Sequence, residues 1–372
     1  MKHYVGLDVS MKSTSICIVD ETGNIVYEGM ETTDPHKIAD LIDKKRFTDC
    51  FLGFETGSLT NYLMNGFKER ALHAVCMDAR KLSAILSMKI NKTDKNDARG
   101  IAEALRTKMF SAVHCKPMDS VEKDILLAAR KSLVHQHVQV KNTVRGLLKA
   151  FGIRLGSVSG KNFTEVVKKQ CAEIGELCKK GIFPLLEIFD KISEEIKILD
   201  QEVRKLAFED KEVKRLMTIP GVGPITALSF KNEIFDPTRF KDSKSVGAYL
   251  GMTPTQYASG ETMRQGRVSK CGSTELRSLL VEAAIVLLTR SQKWSKLKAW
   301  GLKIMRKKGL KKAAVAVGRK LAVIMHRMMI QETEFIYGEQ KNEIQISIKK
   351  EPVKAPDRKS TRLNSSHLGI SR

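Results

Sequence analysis

The chain has 372 residues, 42% of them apolar, which is enough for two or three cored domains and too long for one small core. Its 65 Lys and Arg outnumber 42 Asp and Glu, leaving a net charge of +23 that points to a polyanionic partner, with nucleic acid the commonest. Seven scattered cysteines (Cys17, Cys50, Cys76, Cys115, Cys171, Cys178, Cys271) contain no CxxC pair, and no run of eighteen uncharged apolar residues occurs. This argues against a zinc site, a disulfide framework or a membrane span and for reduced thiols in a cytoplasm.

The N-terminus enters a strand-like segment at once, so no secretory leader is expected. Tyr4–Val9, Ser15–Val19 and Ile25–Met30 read as three strands, the second and third an antiparallel hairpin across the turn Glu21–Asn24. His36–Lys45 reads as a helix, Cys50–Phe54 as a strand ending at Glu55, Leu59–Arg70 as a helix and His73–Met77 as a fifth strand. Three consecutive strands followed by alternating helix and strand is the order of an RNase H-like α/β domain, placed at residues 1–112.

Residues 113–207 carry no strand signal and read as an α-helical linker. Ser120–Phe151 is one long helical pattern, with Lys141, Arg145 and Lys149 forming a basic stripe four residues apart. In Leu185–Leu206 the apolar positions Leu185, Ile188, Ile192, Ile196, Leu199, Val203 and Leu206 step by three or four, as in a helical hairpin or coiled coil. Residues 208–340 form a second, mostly α globular unit that ends in two helical stretches. The later of these, Leu302–Met329, begins with a basic run from Lys303 to Lys312. Residues 341–372 are polar and expected to be disordered. Within them, Asp357–His367 resembles a translated sequencing adapter; without the segment from Asp357 on, a charge of +20 remains.

Asp8 ends the first strand and Glu55 the fourth, so the two emerge side by side if those strands are neighbours. Asp94 and Asp97, three apart in a helical pattern, share one face. Crowded carboxylates resist joint ionisation unless cations compensate them, and hard divalent ions, chiefly Mg²⁺, take such oxygen donors. Two such ions can flank a phosphodiester. Lys92, Lys95 and Arg99 nearby suit a phosphate backbone. Each acid also has a plain reading as a turn or cap residue, and Asp94 could cap its own helix.

Pro220-Gly-Val-Gly-Pro224 between helical segments reads as a helix-hairpin-helix, in which Gly221 and Gly223 let backbone amides approach a phosphate; an ordinary tight turn is the alternative. Further on, Ser259 precedes a glycine in a segment expected to be flexible, with Arg264, Arg267 and Lys270 within reach along the chain. A serine beside cations can attack phosphorus while the cations stabilise developing charge, although surface Ser-Gly loops are common. No His-Asp partner is available for a hydrolase triad, and His135 and His137, two apart, lie on different faces of their helix.

GLDVS at 6–10, GFETG at 53–57, NKTDKNDARGIAEALR at 91–106, IPGVGPITA at 219–227 and GMTPTQYASGETMRQGRVSKCGSTELRSLL at 251–280 together resemble the DEDD transposases of bacterial insertion sequences, relatives of the Piv-type DNA invertases. The resemblance implies a RuvC-like (RNase H-like) N-terminal domain, a coiled-coil linker and a C-terminal transposase domain. It further implies Mg²⁺ held by Asp8, Glu55, Asp94 and Asp97, and Ser259 as the nucleophile that becomes joined to DNA. It also implies oligomers, dimer or tetramer, that act with a structured non-coding bridge RNA specifying target and donor DNA. The chain departs from many relatives at Ala258, where they carry a second serine, and at His135 and His137, where arginine is frequent. Three readings follow: RNA-guided recombination through a serine–DNA intermediate, a Holliday-junction-type metal nuclease using water, and a non-catalytic nucleic-acid binder.

Overall fold

The computed structural model describes residues 1–87, 93–158, 160–259 and 262–337. Lys92, the tail from residue 341 and the adapter-like segment lie outside the described residues.

Strands β1 (His3–Val9), β2 (Ser13–Val19), β3 (Ile25–Thr32), β4 (Cys50–Glu55), β5 (His73–Met77) and β6 (Ala112–Val113) form one mixed sheet in the order β3-β2-β1-β4-β5-β6. β1 pairs antiparallel with β2 and parallel with β4. The β2–β3 turn is tied by Asp20, whose Oδ1 accepts from the amides of Thr22 and Asn24 and from the Thr22 hydroxyl. These bonds, the hydroxyl's first, lower its pKa to about 2.

Alternation along the strands builds two cores. Val5, Leu7, Leu52 and Phe54 face α1 (Pro35–Lys44) and α2 (Thr60–Glu69), with Ile38, Ile42, Leu63 and Phe67 buried beside them. On the opposite face lie α3 (Ala79–Leu86) and α4 (Asp94–Arg106), packed through Leu82, Ile101, Ala104 and Leu105.

From β6 the chain enters α5 (Met118–Leu148), which pairs with α7 (Glu176–Glu209). The two run antiparallel: Arg130 bonds Asp200 at one end, while Val144 and Phe189 share a small core with α6 (Phe163–Gln170) at the other. Residue 113, expected within a strandless linker, belongs to β6. The α7 stripe is also displaced from its expected positions. Leu186 and Phe189 are buried while Ile188 is half exposed, because the contact with α5 selects a face that also carries Phe189. Nor is the basic stripe of α5 wholly open to a ligand. Lys141 and Arg145 donate to the carbonyls of Val158, Leu155 and Gly156, closing the loop before α6. His137 stacks on Phe189 with ring centroids 4.1 Å apart.

The remaining helices are α8 (Lys211–Met217), α9 (Pro224–Ile234), α10 (Ser245–Tyr249), α11 (Thr274–Thr289), α12 (Lys296–Lys308) and α13 (Leu310–Gln331), with a two-stranded hairpin, β7 (Pro254–Ser259) and β8 (Thr262–Val268), between α10 and α11. Leu127 of α5 and Val203 and Ala207 of α7 belong to the same core as these helices, so the long helices are continuous with the C-terminal unit. Lys116 bridges Asp124 and Glu233 at this junction, and Asn232 donates to the Ser120 carbonyl. Among the described residues no helix is long and apolar enough to cross a membrane, and all seven cysteines are free thiols.

Candidate active site

The register puts Leu7 opposite Phe54 in neighbouring parallel strands, so Asp8 and Glu55 are the next pair along. The pleat turns both away from the α1–α2 core and toward the α4 face. α4 lies directly on β1. A Cβ on Gly6 would stand 2.2 Å from the Ala98 carbonyl oxygen and 2.4 Å from the Ala102 amide, so only glycine admits this approach. The helix runs antiparallel to β1. Its last residue, Arg106, donates to the Glu21 carbonyl near the start of β1, while its first turn lies toward the Asp8 end. That first turn carries Asp94 and Asp97. The cap itself is Thr93, whose hydroxyl accepts from the Asn96 amide, so Asp94 is not the cap. Asp94 and Asp97 instead complement the positive end of the helix dipole.

All four acids are therefore assigned to one end of one sheet face. Asp8, Glu55 and Asp97 are partly buried and Asp94 is exposed. As the side chains stand, no three His, Cys, Asp or Glu groups among the described residues lie close enough together to hold a metal ion.

Glu28, in β3, is a residue that sequence reasoning missed. Lys95 Nζ lies 2.9 Å from its Oε2, and Arg99 grips both carboxylate oxygens, Nη2 at 2.8 Å and Nε closer still. The Arg99 hydrogen bond, then Lys95, holds the Glu28 carboxyl down at about 2. Two cations expected to meet phosphate thus pin the first turns of α4 to the sheet edge. The signal was their i, i+4 spacing, which puts both on one helix face and makes a shared acid possible.

Ser259 ends β7, opposite Thr262, and is exposed. It sits at the tip of a paired hairpin rather than in an irregular segment. Cross-strand pairing puts Arg264, opposite Tyr257, on the serine's face of the hairpin, whereas the register shifts between Gln256–Gln265 and Pro254–Val268, so Arg267 lies in a bulge nearer the base. Lys270 follows the end of β8, about 25 Å down the strand from the tip by strand rise.

The hairpin base is tightly built. Gly251 and Gly272 have φ of +65° and +66°, and a Cβ on them would strike Cys271 and Tyr249 backbone atoms at 2.2 and 2.4 Å. Arg277, also missed, gathers the carbonyls of Leu250, Cys271 and Gly272. Arg80 of α3 donates to Cys271 Sγ at 3.6 Å, which joins the sheet domain to this base.

Between α8 and α9, Gly221 has φ +91°, and its Cβ would lie 2.4 Å from the Ala283 carbonyl oxygen. The close approach of α11 accounts for that glycine without a phosphate. Gly223 precedes Pro224 at the start of α9, and no atom lies within 4 Å of its Cβ position.

A sheet domain edged with carboxylates, joined to a strongly basic helical unit, is the make-up of an enzyme acting on nucleic acid. A DEDD-type transposase family model matches residues 5–153, and the model of the transposase IS116/IS110/IS902 family matches residues 213–299, together more than half of the chain. The transposase for insertion sequence element IS1111A of Coxiella burnetii is 24% identical over 345 residues, covering 90% of this chain and 91% of the relative. That for IS1328 of Yersinia enterocolitica is 29% identical over 251 residues, covering 67% and 75%. The pilin gene-inverting protein of Moraxella bovis is 30% identical over 151 residues, covering 38% and 46%. The chain belongs to the DEDD transposase family of insertion sequences and is a DNA transposase or recombinase.

Proposed function

We propose that this transposase cuts and rejoins DNA through a covalent serine–DNA intermediate, using the carboxylates of an RNase H-like domain as its metal site. The carrying observation is the assignment of Asp8, Glu55, Asp94 and Asp97 to one end of one sheet face, by neighbouring strands and the first turn of α4. The strand order supports the RNase H-like reading, and four hard oxygen donors match a divalent cation. Asp8, Glu55, Asp94 and Asp97 would hold Mg²⁺, which when bound would supply charge stabilisation to a phosphodiester undergoing displacement.

The chain's own residues do the rest. The Ser259 hydroxyl attacks phosphorus; the Oγ–P bond forms as the P–O3′ bond breaks, and the serine's proton is matched by the one taken up by the released 3′-hydroxyl. Arg264, on the same hairpin face, balances charge on the non-bridging oxygens. Arg267 and Lys270, farther down the hairpin, hold flanking phosphates. Lys95 and Arg99 meet the backbone at the carboxylate end, with Glu28 fixing both.

Residues 1–112 are the catalytic domain, 113–207 a coiled-coil linker, and 208–340 the transposase domain, in which the α8–α9 helix-hairpin-helix, its Gly221 seated on α11, contacts backbone phosphate at the open Gly223. The first family match crosses the 112/113 boundary. The enzyme works in the bacterial cytoplasm as a dimer or tetramer that combines the two domains of different protomers. A structured non-coding RNA selects donor and target DNA; this part rests on the sequence resemblance.

Replacement of Ser259 by Ala is expected to abolish covalent protein–DNA adducts while DNA binding persists. Adducts at normal yield in that variant would eliminate the serine, and free-ended products without adducts in the wild type would identify water as the nucleophile.

A further inference from the structure

α13 carries Lys312, Arg319, Lys320 and Arg327 at steps of seven, one and seven residues, which places them on one helix face. Together with Lys244, at the start of α10, they line a hollow of about 870 Å³. Among the described residues the only acid lining it is Glu334, and none of the five cations makes an ion pair there. That contrasts with Lys95, Arg99 and Lys116, each of which is matched to an acid. The floor between the cations is apolar, made of Met252, Val315, Val323, Ile324 and Met328, with Trp300 at the rim under the Lys320 ammonium at 4.0 Å. One wall is Pro254 and Val268, the paired residues at the base of the hairpin whose tip is Ser259. Around the α12–α13 corner the chain carries further cations, Lys303, Arg306, Lys307, Lys308 and Lys311, and Gly309 turns there with φ +80°.

We propose that this groove binds an unpaired nucleic-acid strand and leads it toward the Ser259 hairpin, an inference that rests on the reading of the chain as an enzyme of nucleic acid. The chemistry selects the occupant. Uncompensated cations at spaced intervals suit successive phosphates, and the apolar floor with its tryptophan suits base faces. A duplex keeps its base faces stacked inside and offers this floor nothing.

The test uses the full chain, fluorescent single-stranded DNA and RNA of one sequence, and the matching DNA duplex. With Lys312, Arg319, Lys320 and Arg327 all changed to Gln, single-strand affinity falls roughly a hundredfold, and the slope of log affinity against log salt shrinks by about 3. Duplex affinity falls much less. Exchanging the four between Lys and Arg keeps single-strand affinity, which separates charge from folding. Trp294 and Trp300 are the only tryptophans in the chain. In the Trp294→Phe chain, Trp300 emission is therefore quenched as either strand binds, and the arm that saturates at lower concentration identifies the strand as DNA or RNA. Wild-type single-strand affinity in the Gln variant, unchanged Trp300 emission at saturation, or an equal loss of duplex binding would each overturn the groove assignment and leave the proposed function standing. Failure of the wild type to bind any nucleic acid would overturn both.

Discussion

The carboxylates and the serine are held in opposite ways. Asp8 and Glu55 extend from central strands whose preceding residues, Leu7 and Phe54, are fully buried, and α4 is pressed onto the same strands at Gly6. Ser259 stands at the tip of a two-stranded hairpin that is exposed along nearly all of β8, with Tyr257 and Met263 more than 60% accessible. A two-stranded ribbon has little stability of its own. Only its base is fixed, by Gly251, Gly272 and Arg277. In our reading the difference teaches that a metal site needs donors set by a packed core, whereas a nucleophile that must meet DNA and another protomer's carboxylates is better carried on an arm with a pinned root.

The contrast can be broken experimentally, and the largest effect is expected at the carboxylates. Replacing Asp8 by Asn removes a donor without changing shape, and strand cleavage should fall on the order of a thousandfold, read by single-turnover kinetics. Calorimetry with Mg²⁺ should show weakened binding; identical titrations of variant and wild type would remove the quartet as a metal site. A Gly6→Ala change drives a Cβ into α4 backbone that cannot yield, and should cost about 3 kcal/mol by denaturant unfolding. A neutral result there would mean that α4 is not seated on β1.

Glu28→Gln should cost about 1–2 kcal/mol, since it leaves Arg99 and Lys95 with a neutral partner. The sign with pH follows from the depressed carboxyl. The Glu28 contribution is complete above its ordinary 4.5 and is lost as pH falls toward about 2, so wild type and variant should converge in stability across that window. On the hairpin, Arg264→Gln should reduce adduct formation about tenfold and Lys270→Gln only two- to threefold, because charge stabilisation requires nearness to phosphorus. Equal effects would contradict the placement of Arg264, and not Lys270, beside the serine.

Much of this was legible in the sequence, for a physical reason. Strands β1, β2, β4 and β5 announce themselves because apolar runs mark their buried positions, and β3, which buries no residue, is marked by the turn before it; the structure shifts the ends of all five by no more than two residues. The placement of Asp8 and Glu55 was readable because an acid at or next to the last residue of an apolar strand run is a local pattern. The β7–β8 hairpin was not readable as a hairpin: PTQYAS and TMRQGRV are polar on both faces, so no period of two appears. Two-residue β6 is too short to carry a pattern. The α7 face was misplaced because Leu185 and Leu186, and Ile188 and Phe189, are adjacent apolar pairs, and only the contact with α5 decides which of each pair is buried. Glu28 and Arg277 act across 71 residues and across a turn respectively, so their roles exist only after folding.

The central claim is tested most directly by peptide mapping of the trapped protein–DNA complex formed on a nicked suicide substrate with Mg²⁺. A nucleotide remnant attached to the peptide that contains Ser259, and absent when Asp8 is Asn, is the predicted result. A remnant on any other residue, or complete cleavage with no attached nucleotide, would contradict it.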